Sequence, residues 1–215
     1  MHVEDQIMYH YHNTHLYSDI WQKGNELIVD DNFNSKLCEV TRIFSTAVNV
    51  QTDNGIKMLP FEYTLEDYLD EENFKTIDKR LAKRMLNEAI RILYGADLCK
   101  REHLLEEYRL KNYPLLPSRY HSIWLADEVS LNFWKEQLSK KDILKLCKLK
   151  VTGELFKSSD LFLPDFALSM EEMYKEAEKY WNPDFSNEAA HNKVEYLFQG
   201  KVKILDVKDI KKNSI

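Results

Sequence analysis

The stretch Val194-Glu195-Tyr196-Leu197-Phe198-Gln199-Gly200-Lys201-Val202-Lys203-Ile204-Leu205-Asp206-Val207 decides how the chain is read. Two runs rich in β-branched and aromatic residues, 194–198 and 202–207, flank Gln199-Gly200. A glycine between two such runs is a hairpin signal. The spacing therefore predicts two closing strands joined by a tight turn. A glutamate at the start of a strand is normally a solvated edge residue, so Glu195 needs company before it means more.

Working back from this stretch, Leu144–Thr152 reads as another strand. Ser122-Ile123-Trp124-Leu125-Ala126 is a short apolar strand, followed by a helix over Val129–Leu138. Residues 7–12 form a first strand. Lys23-Gly24 is a turn and 32–34 a loop, and residues 38–50 hold a strand or an irregular connection. Ser169-Met170-Glu171-Glu172 fits a capping box that opens a helix to about Tyr180, because serine and glutamate three apart satisfy the first free N–H groups reciprocally. A polar loop spans 182–192.

Between the first strand and Ser122 the pattern becomes helical. Acidic residues alternate with aromatics and leucines over 62–72, a solvated loop or short helix. Ile77, Leu81, Met85, Ala89 and Leu93 recur every four residues, which is helix periodicity. Gly95 is expected to interrupt that helix, and a second is expected over 96–111. The second one's exposed face carries Arg101, Glu102, Glu106, Glu107 and Arg109 in i,i+4 relation. Pro114 and Pro117 end it.

The chain has 215 residues, net charge −6, 44% hydrophobic and 31% charged residues. This suits one soluble domain, and the negative charge argues against coating nucleic acid by bulk charge. Twelve Tyr, ten Phe and four Trp are core material in the first instance. Cys38, Cys99 and Cys147 are odd in number and have no CxxC spacing, so disulfides and zinc are not expected and a reduced cytoplasmic setting is. The N-terminus lacks the basic and apolar regions of a signal peptide. No apolar run is long enough to span a bilayer, so no membrane is expected.

Three segments carry candidate chemistry. His10 and His12 share one face of the first strand, but no companion ligand motif makes them a metal pair. Tyr11-His12-Asn13-Thr14 ends that strand. Ser122-Ile123-Trp124-Leu125-Ala126-Asp127 is an aromatic strand running into a helix that bears Phe133 and Trp134. Val194-Glu195-Tyr196-Leu197-Phe198 presents the late carboxylate. Taken singly, each has a bland explanation in core packing or surface solvation.

Their order resembles that of His-Tyr-Glu ADP-ribosyltransferases, the superfamily of diphtheria-toxin-like and poly(ADP-ribose)-polymerase-like enzymes. A wider run adds to this: Arg101-Glu102, Glu106-Glu107-Tyr108-Arg109, Tyr113-Pro114-Leu115-Leu116-Pro117-Ser118-Arg119, Tyr180-Trp181 and Glu195 through Lys201. With these, the chain over about residues 7 to 207 resembles a bacterial and phage family of formerly unknown function grouped in that superfamily.

The resemblance implies an α+β fold over 1–215. It would have two small, mostly antiparallel sheets face to face, an NAD cleft between them and a helical insertion at about 62–112. It implies Glu195 as catalytic carboxylate and His12 as ribose ligand, with His10 the runner-up and Thr14 in support. Ser122 and Trp124 would line the nicotinamide site, Trp124 standing where the family has Tyr. Phe133 or Trp134 would be the second stacking aromatic, and Arg119 the pyrophosphate ligand. NAD would be the substrate and no metal is expected. The acceptor, whether RNA, DNA or protein, stays open. Arg-Ser-Glu relatives carry Gln or Glu two residues before the catalytic Glu; Lys193 there disfavours that class. The physiological setting implied is a toxin-like enzyme of a toxin–antitoxin or phage-defence system, with an inhibitory antitoxin partner. The alternatives are NAD hydrolysis without an acceptor and a non-catalytic binding module on the same fold.

Overall fold

The longest strand pairing sets the architecture, and it overturns the hairpin expectation. In the computed structural model, which describes residues 1–13, 20–52, 55–70, 77–139 and 144–210, Val194 through Ile210 form one continuous strand. It pairs antiparallel along its length with a strand over Leu144–Ser159. Gly200 lies opposite Gly153 in that register, with φ of 146° and 155°. A Cβ on Gly200 would collide with the Thr152 carbonyl oxygen, and one on Gly153 with that of Gln199. The glycines let two strands approach at a bend rather than turn the chain back, a recognised use of glycine inside a strand.

The elements in chain order are β1 (His2–Asn13), β2 (Glu26–Val29), α1 (Lys36–Ile43), β3 (Ala47–Thr52), β4 (Gly55–Pro60), α2 (Phe61–Leu69), α3 (Lys79–Asn112), β5 (Ile123–Leu125), α4 (Leu131–Ser139), β6 (Leu144–Ser159), α5 (Met170–Trp181), α6 (Glu188–His191) and β7 (Val194–Ile210). The class is α+β with small antiparallel sheets, as expected. Residues 38–50 hold the end of a helix as well as a strand. The capping box at Ser169 and Glu172 forms with both of its hydrogen bonds.

The chain divides into two compact units, Met1–Glu39 with Arg101–Ile215, and Val40–Lys100. The smaller unit overlaps the stretch read as a helical insertion at about 62–112 and also includes the β3–β4 hairpin.

In the larger unit the described strands form one connected five-stranded sheet, not two separate ones. Its order is β1-β6-β7-β2, with β5 beside β2 on the same edge of β7. The far edge of β1 meets the end of β5. Tyr9 N–H donates to Ala126 O at 3.0 Å and Ala126 N–H to Tyr9 O at 2.8 Å. β1, β6, β7 and β5 therefore close a ring. Strand alternation gives that ring two faces. Met8, Ile123, Leu125, Cys147, Leu149, Leu155, Val194, Tyr196, Phe198 and Ile204 share the principal core. The opposite face presents Phe156 and Leu197, covered by Leu105 of α3 and by Tyr180 and Trp181 of α5. Both faces of 194–198 are buried, which is why this segment is apolar without a gap. Cys38, Cys99 and Cys147 form no disulfide with one another, and burial pushes the Cys147 thiol up to about 12, leaving it unreactive.

In the smaller unit Gly95 does not end the helix. α3 runs unbroken through it, and a side chain at 95 would collide with the ring of Phe44. The glycine is required by packing, which outweighs its propensity cost of about 1 kcal/mol.

Gly200→Ala is expected to lower stability by about 1–3 kcal/mol, the cost of holding a non-glycine residue in such a backbone conformation with a backbone clash added. Denaturant titration of the variant checks this; an unchanged midpoint would show that the strands do not need their glycine crossing.

Candidate functional site

Four elements converge on Glu195. β7 carries it on the face shared with Leu197. The C-terminal half of α3 brings Glu102 and Glu106. The 113–119 loop, folded back by Pro114 and Pro117, brings Ser118 and Arg119. The last turn of α5 brings Tyr180. Glu195 and Arg119 are each 4% exposed and Glu102 is 0% exposed.

The hydrogen bonds place Arg119 at the hub. Its Nε donates to Glu102 Oε2 at 2.6 Å and its Nη2 to Glu102 Oε1 at 3.3 Å, a two-point grip. Its Nη1 donates to Glu195 Oε1 at 2.8 Å and also to the Tyr180 hydroxyl oxygen. That hydroxyl in turn donates to Glu195 Oε1 at 2.5 Å. The guanidinium also lies 4.6 Å from the Tyr180 ring centroid and 5.7 Å from that of Trp124. Glu102 receives a second cation from Arg101, at 3.1 Å. Beside it, Glu106 accepts from Arg109 at 2.7 Å, from the Ser118 hydroxyl at 2.7 Å and from the Arg119 backbone N–H at 3.3 Å. Three arginines face three glutamates, so the cluster is neutral, which is what lets charges stay buried.

The cluster shifts its own ionisations. Arg119 is held well above its ordinary value: burial opposes its charge, but Glu102 and then Tyr180 and Glu195 more than restore it. Tyr180 is also pushed far up, by burial first, although Arg119 pulls the other way. Its proton therefore stays on the hydroxyl and points at Glu195. Both bonds to Glu195 fall on Oε1. Its other oxygen, Oε2, has no hydrogen-bond partner among the described residues.

Trp124 belongs to this face, paired with Leu197 across β5 and β7. Trp134 of α4 is anchored where β7 begins, its Nε1 donating to Val194 O at 2.7 Å. Phe133 meets Trp134 edge-on at 5.0 Å, and Lys193 Nζ stands 5.5 Å from the Phe133 ring. Asp127, in the turn before α4, accepts from Ser130 N–H at 2.9 Å and also takes the Tyr196 hydroxyl at 3.0 Å. Ser122 is fully buried, and its Oγ has no partner among the described residues.

The structure thus brings Glu195, Trp124 and Arg119 together, with Trp134 and Phe133 beside the start of β7. It does not bring His12 to them. His12 shares its face of β1 with Met8, whose side chain lies in the principal core, and Glu195 projects from the other face of the ring. His10 and His12 both stack on Trp21, at 4.3 and 5.4 Å. Alternation along the strand makes this unavoidable once the core side is fixed. The β1 residues directed to the Glu195 face are the odd ones; Tyr11 donates its hydroxyl to Leu131 O at 2.9 Å. Thr14 lies outside the described residues.

Arg119 takes a different part from the pyrophosphate ligand expected of it. It is buried, and its two-point grip is on Glu102. The face of α3 read as solvated is the source of the network: Glu102, Glu106 and Arg109 are buried. Charges at i,i+3 and i,i+4 look alike on a wet face and on a buried one. Tyr180, which the sequence offered only as part of the wider Tyr180-Trp181 run, is brought to Glu195 by its place at the end of a capped helix. Two cavities, of about 270 and 380 Å³, lie elsewhere, the first lined by Val40, Phe44 and Arg91, the second by Leu104, Lys111 and Tyr174.

Two outcomes follow from these contacts. Arg119→Met should cost about 3–5 kcal/mol, because it leaves the buried Glu195 without its cation and Glu102 with Arg101 alone, whereas Tyr180→Phe should cost about 1–2 kcal/mol, one buried hydrogen bond. Equal losses in denaturant titration would deny Arg119 its place as hub. The second concerns His10, whose Nδ1–H donates to Trp124 O at 2.9 Å and whose imidazole burial lowers to about 4. An unfolded histidine titrates near about 6.5, so between these values the unfolded chain binds the extra proton. The stabilisation from neutral His10 is therefore whole above about pH 6.5 and is lost as pH falls toward 4, up to about 3 kcal/mol. Stability measured from pH 7.5 to 4.5 should fall more steeply in the native protein than in His10→Gln; parallel curves would contradict it.

No curated protein matches the chain, and no helix among the described residues is long and apolar enough to cross a membrane. A family model described as a protein of unknown function, DUF2441, matches residues 8–212, so that both β1 from Met8 onward and the whole Glu195 cluster fall inside it. The chain belongs to the DUF2441 family.

Proposed function

We propose that the protein is an NAD-consuming ADP-ribosyltransferase whose Glu195 carboxylate drives cleavage of the nicotinamide bond. One observation carries this: Glu195 is held through Oε1 by Arg119 and Tyr180 while Oε2 has no hydrogen-bond partner among the described residues, on the face that presents Trp124. A fixed carboxylate with one oxygen committed to the scaffold is suited to accept a hydroxyl of a sugar with the other. Preorganised charge of this kind is the main catalytic resource for reactions with a cationic transition state.

In the proposed reaction the bond from ribose C1′ to the pyridinium nitrogen breaks, and its electron pair leaves with neutral nicotinamide. No enzyme proton is needed. Oε2 of Glu195 accepts a ribose hydroxyl and stabilises the oxocarbenium charge. An acceptor nucleophile then bonds to C1′ and releases its proton. Trp124, with Phe133 or Trp134, stacks on the nicotinamide ring, and Ser122 Oγ, just before β5 and without a partner among the described residues, supplies a donor. Lys193 beside Phe133 suits an anionic acceptor such as RNA or DNA over an arginine side chain. The NAD cleft of this reading lies on the Glu195 face, and an inhibitory antitoxin would be the regulator of such a toxin-like enzyme. Hydrolysis of NAD without an acceptor is the same chemistry with water as nucleophile.

A second reading has its own support. Glu195 is 4% exposed and Arg119 is engaged by protein carboxylates, as befits a structural ion network in a binding module without catalysis. Incubation with labelled NAD and separate pools of RNA, DNA and protein distinguishes the two. The enzyme should release nicotinamide, and Glu195→Gln should reduce the rate by about 100-fold or more while the fold survives. Label in one pool names the acceptor, and free ADP-ribose alone indicates hydrolysis. Equal release by native and variant protein would remove Glu195 from catalysis. Absence of both turnover and thermal stabilisation by NAD would favour the binding module.

A further inference from the structure

Charge balance at Glu195 needs only one cation. Arg119 supplies it, its Nη1 donating to Glu195 Oε1 at 2.8 Å. The fold nevertheless buries a second pair beside them. Glu102 is fully buried and has Arg101 as its own counter-ion at 3.1 Å, with the Arg101 side chain 16% exposed. Arg101 and Glu102 cancel one another, so neutrality around Glu195 does not require them. A buried pair also adds little net stability against the cost of its desolvation.

The contacts of Glu102 say what the pair does. A guanidinium facing a carboxylate favours a two-point contact. Arg119 makes that contact with Glu102, through Nε at 2.6 Å and Nη2 at 3.3 Å, and meets Glu195 with Nη1 alone. One turn further along α3, Glu106 accepts the Arg119 backbone N–H at 3.3 Å. The helix thus holds Arg119 at backbone and guanidinium together, which fixes the plane and direction of the fork. Tyr180 donates its hydroxyl to the same Oε1 at 2.5 Å, and Oε2 has no hydrogen-bond partner among the described residues. Released from Glu102, the fork would be free to turn and engage both oxygens of Glu195.

We propose that Glu102 is a positioning residue: by taking the two-point grip of Arg119 it keeps Arg119 from chelating Glu195, and so keeps Glu195 Oε2 open to a substrate hydroxyl. This role depends on Glu195 being the catalytic carboxylate proposed above; Glu102 itself touches no substrate and acts only through Arg119. Its loss therefore removes an interaction made in the transition state, which lowers kcat and kcat/KM together and leaves KM in place.

The full chain carrying Arg101→Met together with Glu102→Met tests it, because this double variant stays charge-balanced, with Arg119 facing Glu195 and Arg109 facing Glu106. It should unfold cooperatively, with the circular dichroism of the native protein. Its crystal structure should show Arg119 in two-point contact with Glu195 and both carboxylate oxygens engaged. Nicotinamide release from NAD should fall about ten-fold or more, with KM for NAD within about two-fold of native. In the Glu195→Gln background the same two substitutions should cost no further rate, because effects that act through one group do not add. Glu102→Gln, which keeps the side-chain volume, should lose rate in the same direction and serves if the double variant does not fold. A native rate in either folded variant would overturn the proposal, as would a double-variant structure in which Arg119 still meets Glu195 through Nη1 alone. A native protein that releases no nicotinamide would instead remove the NAD reading, and the double-variant structure would then decide by itself whether Glu102 directs Arg119.

Discussion

The guanidinium of Arg119, gripping Glu102 with one edge and Glu195 with the other, is the contact on which the larger unit depends. It links the last turns of α3, the loop at 113–119, the end of α5 and the start of β7. None of these segments has another buried cation that reaches Glu195 among the described residues. A buried ion pair contributes little net stability when complete and costs much when broken. Its effect is specificity: one arrangement of two helices, a loop and a strand satisfies three arginines and three glutamates together, and a shift of any element leaves a charge alone in a low dielectric.

The same contact sets what Glu195 can do. Charge balance keeps the site neutral, and the up-shifted Tyr180 keeps its proton on the hydroxyl that points at Oε1. The carboxylate is thereby fixed in direction without losing its second oxygen. Around it the ring of β1, β6, β7 and β5 supplies rigidity. Trp124 is fixed twice, by pairing with Leu197 and by the His10 bond to its carbonyl. His10, from the opposite face, supports the strand that carries Trp124, and neither it nor His12 shares a face with the carboxylate.

Glu102, Glu106 and Arg109 mark where reading the chain reached its limit. On a helix their spacing fits salt bridges in water as well as it fits a sealed network, because i,i+4 geometry is local and burial is not. Gly95 and Gly200 failed for a related reason. A glycine reads locally as an interruption or a turn, yet Gly95 is held by the ring of Phe44 and Gly200 by the crossing at Gly153, partners about fifty residues away in sequence. The capping box at Ser169, the first strand and the apolar strand at Ile123 were legible because each is settled by neighbours within a few residues.

The sequence by itself determined the positions of most strands and helices, which follow from periodicity and capping because these are short-range properties; the α+β class and the grouping of Trp124, Arg119 and Glu195 were what the family resemblance implied. Tertiary structure alone decided that the last two runs are one strand, that His12 faces away from Glu195, and that Arg119 holds a carboxylate of its own chain. Each of these depends on which face of a strand meets the core and which distant charge fills a buried site, and strand alternation converts that single choice into the placement of every side chain along β1 and β7.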